Sequence, residues 1–465
     1  MNRERQPIVV VLCVGLTGRL VPLAPHIHAL ANRGWQRSVL EVIPAVTCTA
    51  QATLLTGTLP RQHGIVANGW LYRDTMEVRF WQQSNRLLLV EPLYVTAKQR
   101  ARKRGRPFRC AKLFWWFNQG ADVEYSVTPK PYYGADGDKI FGITGRPSGL
   151  PQELESALGR FPFETFWGPL AGYPCTEWIA RCAAWILDRY RPDLTLVYLP
   201  HLDYDLLRYG PGRANLPLLL RQLDDAFAIV KDAADRIGAR LVVIGEYGHV
   251  DVKRPIYLNR LLRERGYLQV RPGPFGEQLE TFESLAFAVC DHQVAHVYIR
   301  DAHLVPEIAE LIAQVSGVAR VLAGEARADL ALDHPRSGDL VVLSQPDSWF
   351  AYPFWLDDKL APDYARTVDI HRKPGFDPCE LFFDPQLWWP RGRVLWQLIQ
   401  KKLGFRVLFD IIPLDASIVG GSHGLAAQDV LDRPVWIGTG PAPEEPCSMT
   451  RFRGWLLEAL GLPEE

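Results

Sequence analysis

A chain of 465 residues with 48% hydrophobic content is large enough for one α/β domain with a cap, or for two or three smaller domains. Its 52 basic residues balance 52 acidic ones, which argues against a general binder of nucleic-acid polymers. No run of about 18 apolar residues occurs, so no membrane span is expected.

Taken in order, the chain opens with two arginines ahead of an apolar run from Ile8 to Leu16. Such an opening mimics a short signal peptide. It reads instead as a first buried strand, because Gly15-Leu16-Thr17-Gly18-Arg19 turns it into a loop with no A-x-A site. A helix follows over 25–33, closed by Gly34, and then a strand over 38–43. Pro44 to Gly57 carries Ala, Leu and Thr at helical spacing and stops at a glycine suited to a helix end. Thr47 thus falls at a strand-to-helix corner, where free N–H groups and the helix dipole favour an anion. Threonine also caps helices routinely, so the corner alone is weak evidence for catalysis. Cys48 beside it reads as a small buried residue before it reads as a reactive thiol.

Residues 71–172 are rich in aromatics, Pro and Gly and hold a basic run between Lys98 and Arg109, followed by Leu113-Phe114-Trp115-Trp116-Phe117. The run reads as a solvated helix face before a buried aromatic strand, in preference to a clamp for an anionic ring-bearing ligand. Strands and helices then alternate: a helix over 175–190, a strand over 194–199, a helix over 216–237 and a strand over 240–244. That alternation implies a mostly parallel sheet, whose functional residues gather at the carboxyl ends of the strands. Thr47, His201, Asp203, Glu246 and His249 all fall at such ends. Residues 254–406 read as an inserted cap with short strands near 295–299 and 339–343. The chain rejoins the core near Gly420-Gly421-Ser422-His423-Gly424 and ends with a strand over 434–438 and a helix over 449–460. The domain reading is therefore a core of 1–253 and 407–465, with a cap segment at about 71–172 and an inserted cap at 254–406. The eight cysteines form no C-x-x-C pair and read as reduced thiols, which points to the cytoplasm.

The run from Pro44 to Asn68, with Thr47, Thr56-Gly57, Pro60 and His63-Gly64-Ile65 at their spacings, resembles the type I phosphodiesterase/nucleotide pyrophosphatase family of the alkaline phosphatase superfamily. The resemblance implies an alkaline-phosphatase-like α/β sandwich with Thr47 as nucleophile, Asn68 on a non-bridging phosphate oxygen, and His63 in a structural turn. It also implies two divalent metals, usually zinc, held by two sets of Asp and His. Asp203, with Gly210-Pro211 at the right distance, matches one ligand, and His423 in Ser422-His423-Gly424 matches another. Elsewhere the pattern is broken. Val14 stands at the bridging Asp, Leu207 at a His, and Glu246-Tyr247-Gly248 replaces D-H-G, as in a bacterial subgroup with E-Y-G. Leucine and valine offer a metal no donor atom, and neutral tyrosine is a poor zinc ligand.

One reading rebuilds a metal site from neighbours: Asp203, Glu246, His423 and His201 as ligands, with Asp205, His249, Asp291-His292, His296 and 369–373 within reach. The expected function is then metal-dependent hydrolysis of a phosphodiester, pyrophosphate or related phosphorylated small molecule through Thr47, with one or two ions. The alternative is an altered or inactive member that binds a phosphorylated metabolite. A third reading keeps only the fold, as an interaction scaffold.

Overall fold

The computed structural model describes residues 6–135, 139–405 and 407–463. The opening residues 1–5, on which the signal-peptide likeness partly falls, lie outside the described residues.

The strands that matter are β1 (Ile8–Cys13), β2 (Trp35–Leu40), β3 (Cys110–Leu113), β4 (Tyr125–Pro129), β5 (Ile143–Arg146), β6 (Leu194–Leu199), β7 (Arg240–Ile244), β8 (Ala286–Asp291), β9 (Val294–Ile299), β10 (Val318–Ala323), β11 (Leu340–Ser344), β12 (Val435–Gly438) and β13 (Cys447–Ser448). Nine of them form one sheet in the order β13-β2-β12-β7-β1-β6-β3-β4-β5. β1 pairs in parallel with β6 on one side and β7 on the other, Ile8 lying opposite both Leu194 and Arg240. β6, β3 and β4 continue in parallel, whereas β12 and β5 run antiparallel to their neighbours. Every residue of Ile-Val-Val-Val-Leu-Cys in β1 is buried. A strand covered on both faces reads as an unbroken apolar run, which is why its period shows no alternation.

The helices that matter are α1 (Pro25–Arg33), α2 (Thr47–Thr56), α3 (Leu93–Lys103), α4 (Tyr173–Tyr190), α5 (His201–Tyr209), α6 (Leu216–Arg236), α7 (Pro390–Lys402) and α8 (Phe452–Ala459). α1, α4 and α6 pack together, and α2 packs with α3 and α8. The insertion between β7 and β12 carries its own antiparallel sheet, β8-β9-β11-β10.

Three local expectations shift. The strand expected at 38–43 lies at Trp35–Leu40, because its position is fixed by pairing to β12 on one side and β13 on the other rather than by its own apolar run. Gly34 closes α1 with a negative φ of −128°. Its requirement is space, since a Cβ there would lie 1.9 Å from the Gly438 carbonyl oxygen. The last helix begins as a 3₁₀ turn over Met449–Arg451 before α8. The basic run falls on the end of α3 and the turn after it. Lys98 pairs with Asp122 and Glu124, while Arg100 and Arg104 donate to the carbonyls of Leu462 and Gly461, so this run braces the carboxyl-terminal segment.

Candidate active site

The site forms where β1, β2, β6 and β7 release the chain at one edge of the sheet. β2 leads into α2, whose first residue is Thr47. β6 leads through Pro200 into α5, which carries Asp203 in its first turn. β7 leads into Glu246-Tyr247-Gly248-His249. His423 follows the short strand Gly421–Ser422, which pairs with Val250–Asp251 and so brings it beside His249.

Thr47 is buried, and its Oγ1 lies 2.9 Å from the Tyr247 hydroxyl. That hydroxyl donates to Asp203 Oδ1 at 3.5 Å, the outer limit of a hydrogen bond. A phenol has one hydrogen, so Thr47 donates to Tyr247 when Tyr247 donates to Asp203. Burial, with the negative charge of Asp203 adding to it, raises the Tyr247 pKa well above its ordinary value, so the proton stays on the phenol.

Asp203, His249 and His423 converge, each offering one atom, all within 4.8 Å of one another. His249 Nε2 is 2.8 Å from Asp203 Oδ1, and His423 Nε2 is 3.8 Å from the same oxygen. The other ring nitrogen of His423, Nδ1, faces the Ala45 carbonyl at 2.7 Å. A carbonyl only accepts, so Nδ1 carries the hydrogen and Nε2 turns its lone pair toward Asp203. Burial, then the neighbouring His292 and His249, hold the His423 pKa well below the usual range and the ring neutral. His249 Nδ1 is buried with no partner among the described residues. Gly15, at φ +73°, lets that ring close in, since a Cβ there would approach it to 3.1 Å. Two imidazoles, that of His423 oriented by a backbone carbonyl, and a carboxylate are a donor set that fits one zinc-like divalent cation.

The structure redraws the expected ligand set. His201 is outside it: its ring turns into the seam with α6, where Nε2 lies 3.1 Å from the Leu219 carbonyl, and burial lowers its pKa to about 4. Glu246 is also outside the cluster. Its Oε2 accepts from Gln51 Nε2 of α2 at 3.2 Å, and burial, opposed by that bond, pushes its pKa well up, which favours the neutral acid. His249 takes the place these two were expected to fill. Its position three residues beyond Glu246 is the one available signal, because the extended chain after β7 carries it back toward α5. Val14 and Leu207 are buried in the core and Tyr247 is committed to Thr47, so among the described residues a second ion finds no donor set.

Asn68 sits beside the start of α2, as the resemblance implies, but is more heavily engaged than expected. Its Oδ1 accepts from the Cys48 N–H at 3.0 Å, so one of the N–H groups read as free is taken. Asp291 Oδ1 takes an Asn68 Nδ2 hydrogen at 3.1 Å, and Asp291 Oδ2 takes its backbone N–H at 2.7 Å. The inserted sheet thus reaches the site: His292, at φ +58° in the β8–β9 hairpin, places Nδ1 2.7 Å from Asp291 Oδ1. Four rings stack in a column, Phe376 on His292 at 3.7 Å, His292 on His423 at 3.8 Å and His423 on Tyr247 at 3.8 Å. Cys48 is buried, and burial lifts its thiol well above the reactive range. His63 bridges Ile65 N–H and Thr53 Oγ1, and burial lowers its pKa to about 3, consistent with a structural turn.

A threonine at a helix start, facing a carboxylate–imidazole cluster at the carboxyl ends of parallel strands, is the arrangement of an alkaline-phosphatase-like α/β protein. The chain belongs to the type I phosphodiesterase / nucleotide pyrophosphatase family, whose model matches residues 8–377. Over 266 residues it is 25% identical to ectonucleotide pyrophosphatase/phosphodiesterase family member 1 of Rattus norvegicus, a match covering 54% of this chain and 25% of that protein. The human protein of the same name matches at 25% identity, over 54% of this chain and 24% of its own length. The chain therefore spans about a quarter of the length of these curated relatives. Among solved structures it resembles phosphonoacetate hydrolase from Sinorhizobium meliloti 1021 in complex with phosphonoformate, with a TM-score of 0.61, 17% identity and coverage of 98% of this chain and 96% of that one. Murine ectonucleotide pyrophosphatase / phosphodiesterase 5 in complex with AMP gives a TM-score of 0.58, 15% identity, and coverage of 98% and 95%. At these identities the likeness to solved structures shows the fold.

Proposed function

We propose that this protein hydrolyses a phosphodiester, pyrophosphate or related bond in a small phosphorylated molecule, with Thr47 as nucleophile and one divalent cation on Asp203, His249 and His423. The observation that carries this reading is the hydrogen-bonded line from Thr47 through Tyr247 to Asp203, beside that three-residue cluster. Family membership supports the reaction class. The similar structures hold phosphonoformate and AMP, which supports a small phosphorylated or phosphonate-like substrate.

The Thr47 proton passes to the Tyr247 oxygen as the Tyr247 proton passes to Asp203. Thr47 Oγ1 bonds to phosphorus while the bond to the leaving oxygen breaks. That oxygen keeps the electron pair and takes a proton from solvent. Water then attacks the phosphothreonine and releases one proton to solvent, while Thr47 Oγ1 leaves and recovers the proton held at Asp203. Asn68, with its orientation fixed by Cys48 and Asp291, directs an amide hydrogen at a non-bridging oxygen. A divalent cation, zinc or manganese, would supply the positive charge that lowers the Thr47 pKa and offsets charge on the phosphoryl oxygens. The eight free, buried cysteines support a reducing, cytoplasmic setting.

The test is steady-state turnover of an aryl phosphodiester together with metal content by elemental mass spectrometry. Thr47→Ala is expected to abolish turnover while still binding AMP. Wild type is expected to hold close to one ion per chain, lost in His423→Ala and in His249→Ala. Turnover that survives Thr47→Ala would overturn the nucleophile assignment, and retention of the ion in both histidine variants would overturn the ligand set.

A further inference from the structure

We infer that the excursion carrying α7 is an interfacial device that docks this protein onto an anionic lipid bilayer. The excursion leaves the fold at Asp384 and returns at Ile411, where the Asp384 N–H donates to the Ile411 carbonyl at 2.8 Å. Within it, the usual sorting of side chains is inverted. Gln397, the buried residue of α7, donates inward to the Leu408 carbonyl at 2.9 Å and to Asp410 Oδ1 at 2.8 Å. Large apolar side chains stand outward beside Arg393 and Lys402: Trp388 is 98% exposed, Trp389 65%, Trp396 58% and Leu403 68%. Leu395, Leu398 and Ile399 join them at the three- and four-residue spacing that defines one helix face. A contiguous apolar face on the outside of a folded chain marks a surface built to be covered.

Its composition selects the cover. Residues 385–410 contain five basic residues, Arg391, Arg393, Lys401, Lys402 and Arg406, against one acid, Asp410, which pairs with Arg393, in a chain whose net charge is zero. Tryptophans with aliphatic residues and flanking cations are the makeup of helices that lie in the headgroup layer of anionic membranes. A second copy of the chain, meeting through this same face, would set these cations against their own images, which disfavours self-association. The thirteen residues of Pro390–Lys402 are too few to cross a bilayer, which takes about 20, so the helix lies on the surface. The stretch before the excursion carries Phe376, whose ring stacks on His292 in the column that ends at Tyr247. Docking would therefore present the membrane beside the segment that covers the site.

The experiment is sedimentation of the full chain with vesicles of phosphatidylcholine alone and of phosphatidylcholine mixed with phosphatidylglycerol, scored beside light scattering of the protein without lipid. Binding to the anionic vesicles is expected, with at least a tenfold loss in 0.5 M salt. A similar loss is expected in the triple variant Trp388→Ser, Trp389→Ser, Trp396→Ser. Lys402→Glu, which leaves the apolar face intact, is expected to lower binding to anionic vesicles severalfold. An unchanged circular-dichroism melt of these variants would show that the fold is retained. Failure of wild type to sediment with either vesicle overturns the proposal. So does a concentration-dependent dimer that the tryptophan variant dissolves, which would make a second copy the occupant. Equal binding to neutral and anionic vesicles overturns the electrostatic part. None of these readouts depends on turnover, so loss of the hydrolase reading would leave this one standing.

Discussion

Tyr247 does two things at once: its ring lies flat on His423 at 3.8 Å, and its hydroxyl joins Thr47 to Asp203. Tyr247→Phe separates them. The stack survives and the proton route is cut, so kcat is expected to fall by about a hundredfold or more, with KM little changed, in steady-state assays on an aryl phosphodiester. Glu246 offers the converse case. As a buried neutral acid hydrogen-bonded to Gln51, it is replaced by an amide of the same shape at little cost. Glu246→Gln is therefore expected to keep its bound ion by elemental analysis, whereas His249→Gln is expected to lose it. The convergence of Thr47, Asn68, Asp203 and His423 was legible because the first two share the long motif from Pro44 to Asn68, Asp203 has Gly210-Pro211 at a set distance and His423 lies in Ser422-His423-Gly424. His249 was only one of several neighbours, because what makes it a candidate ligand is the direction of an extended chain, which spacing does not encode. His201 misled for the same reason: it sits two residues from Asp203, but that interval on α5 turns it to the opposite side, toward Leu219.

At the level of elements, α2 depends on a cap supplied from outside it. Val46 at its N-cap offers no side-chain acceptor, and Asn68 Oδ1 takes the Cys48 N–H instead. Asn68→Ala would strip that cap and remove one of the two hydrogen bonds that residue 68 gives Asp291, the backbone N–H remaining. A loss of about 1–3 kcal/mol is expected by urea unfolding, separate from any effect on turnover. Gly34→Ala tests the packing of α1 on the edge of β12. With 1.9 Å between the new Cβ and the Gly438 oxygen, the backbone must move, at a cost on the order of 3 kcal/mol in the same assay. Elements with their own punctuation were readable: α2 ends at Gly57 in the left-handed conformation, and α4 and β6 lie within two residues of expectation. β2 was not, because Trp35-Gln36-Arg37-Ser38 has no strong strand pattern of its own and is fixed by β12 and β13.

The whole molecule holds several histidines buried and neutral. Burial lowers the pKa of His63 to about 3, and of His201 and His296 to about 4, from an ordinary 6.5. Between those values the unfolded chain takes up protons that the folded chain refuses. Stability is thus fully present above pH 6.5 and falls as pH drops, by up to about 1.4 kcal/mol per pH unit for each histidine. Urea midpoints are expected to fall steeply from pH 7 to pH 5, with uptake of close to three protons on unfolding at pH 5 from these residues. That the sheet is mostly parallel follows from buried apolar strands alternating with helices; its strand order does not, nor does the contribution of Asp291 and His292, which arises from a hairpin in a different sheet. The packing of Val14 and Leu207, both sealed in the core, has a consequence for the donor set of the site. Val14→Asp alone would bury a carboxylate at a core position, and Tyr247→His alone would remove the hydroxyl that joins Thr47 to Asp203. Each single change toward a wider set of metal donors thus costs either burial energy or a hydrogen bond that the present packing supplies, so the wall of this site resists enlargement one residue at a time.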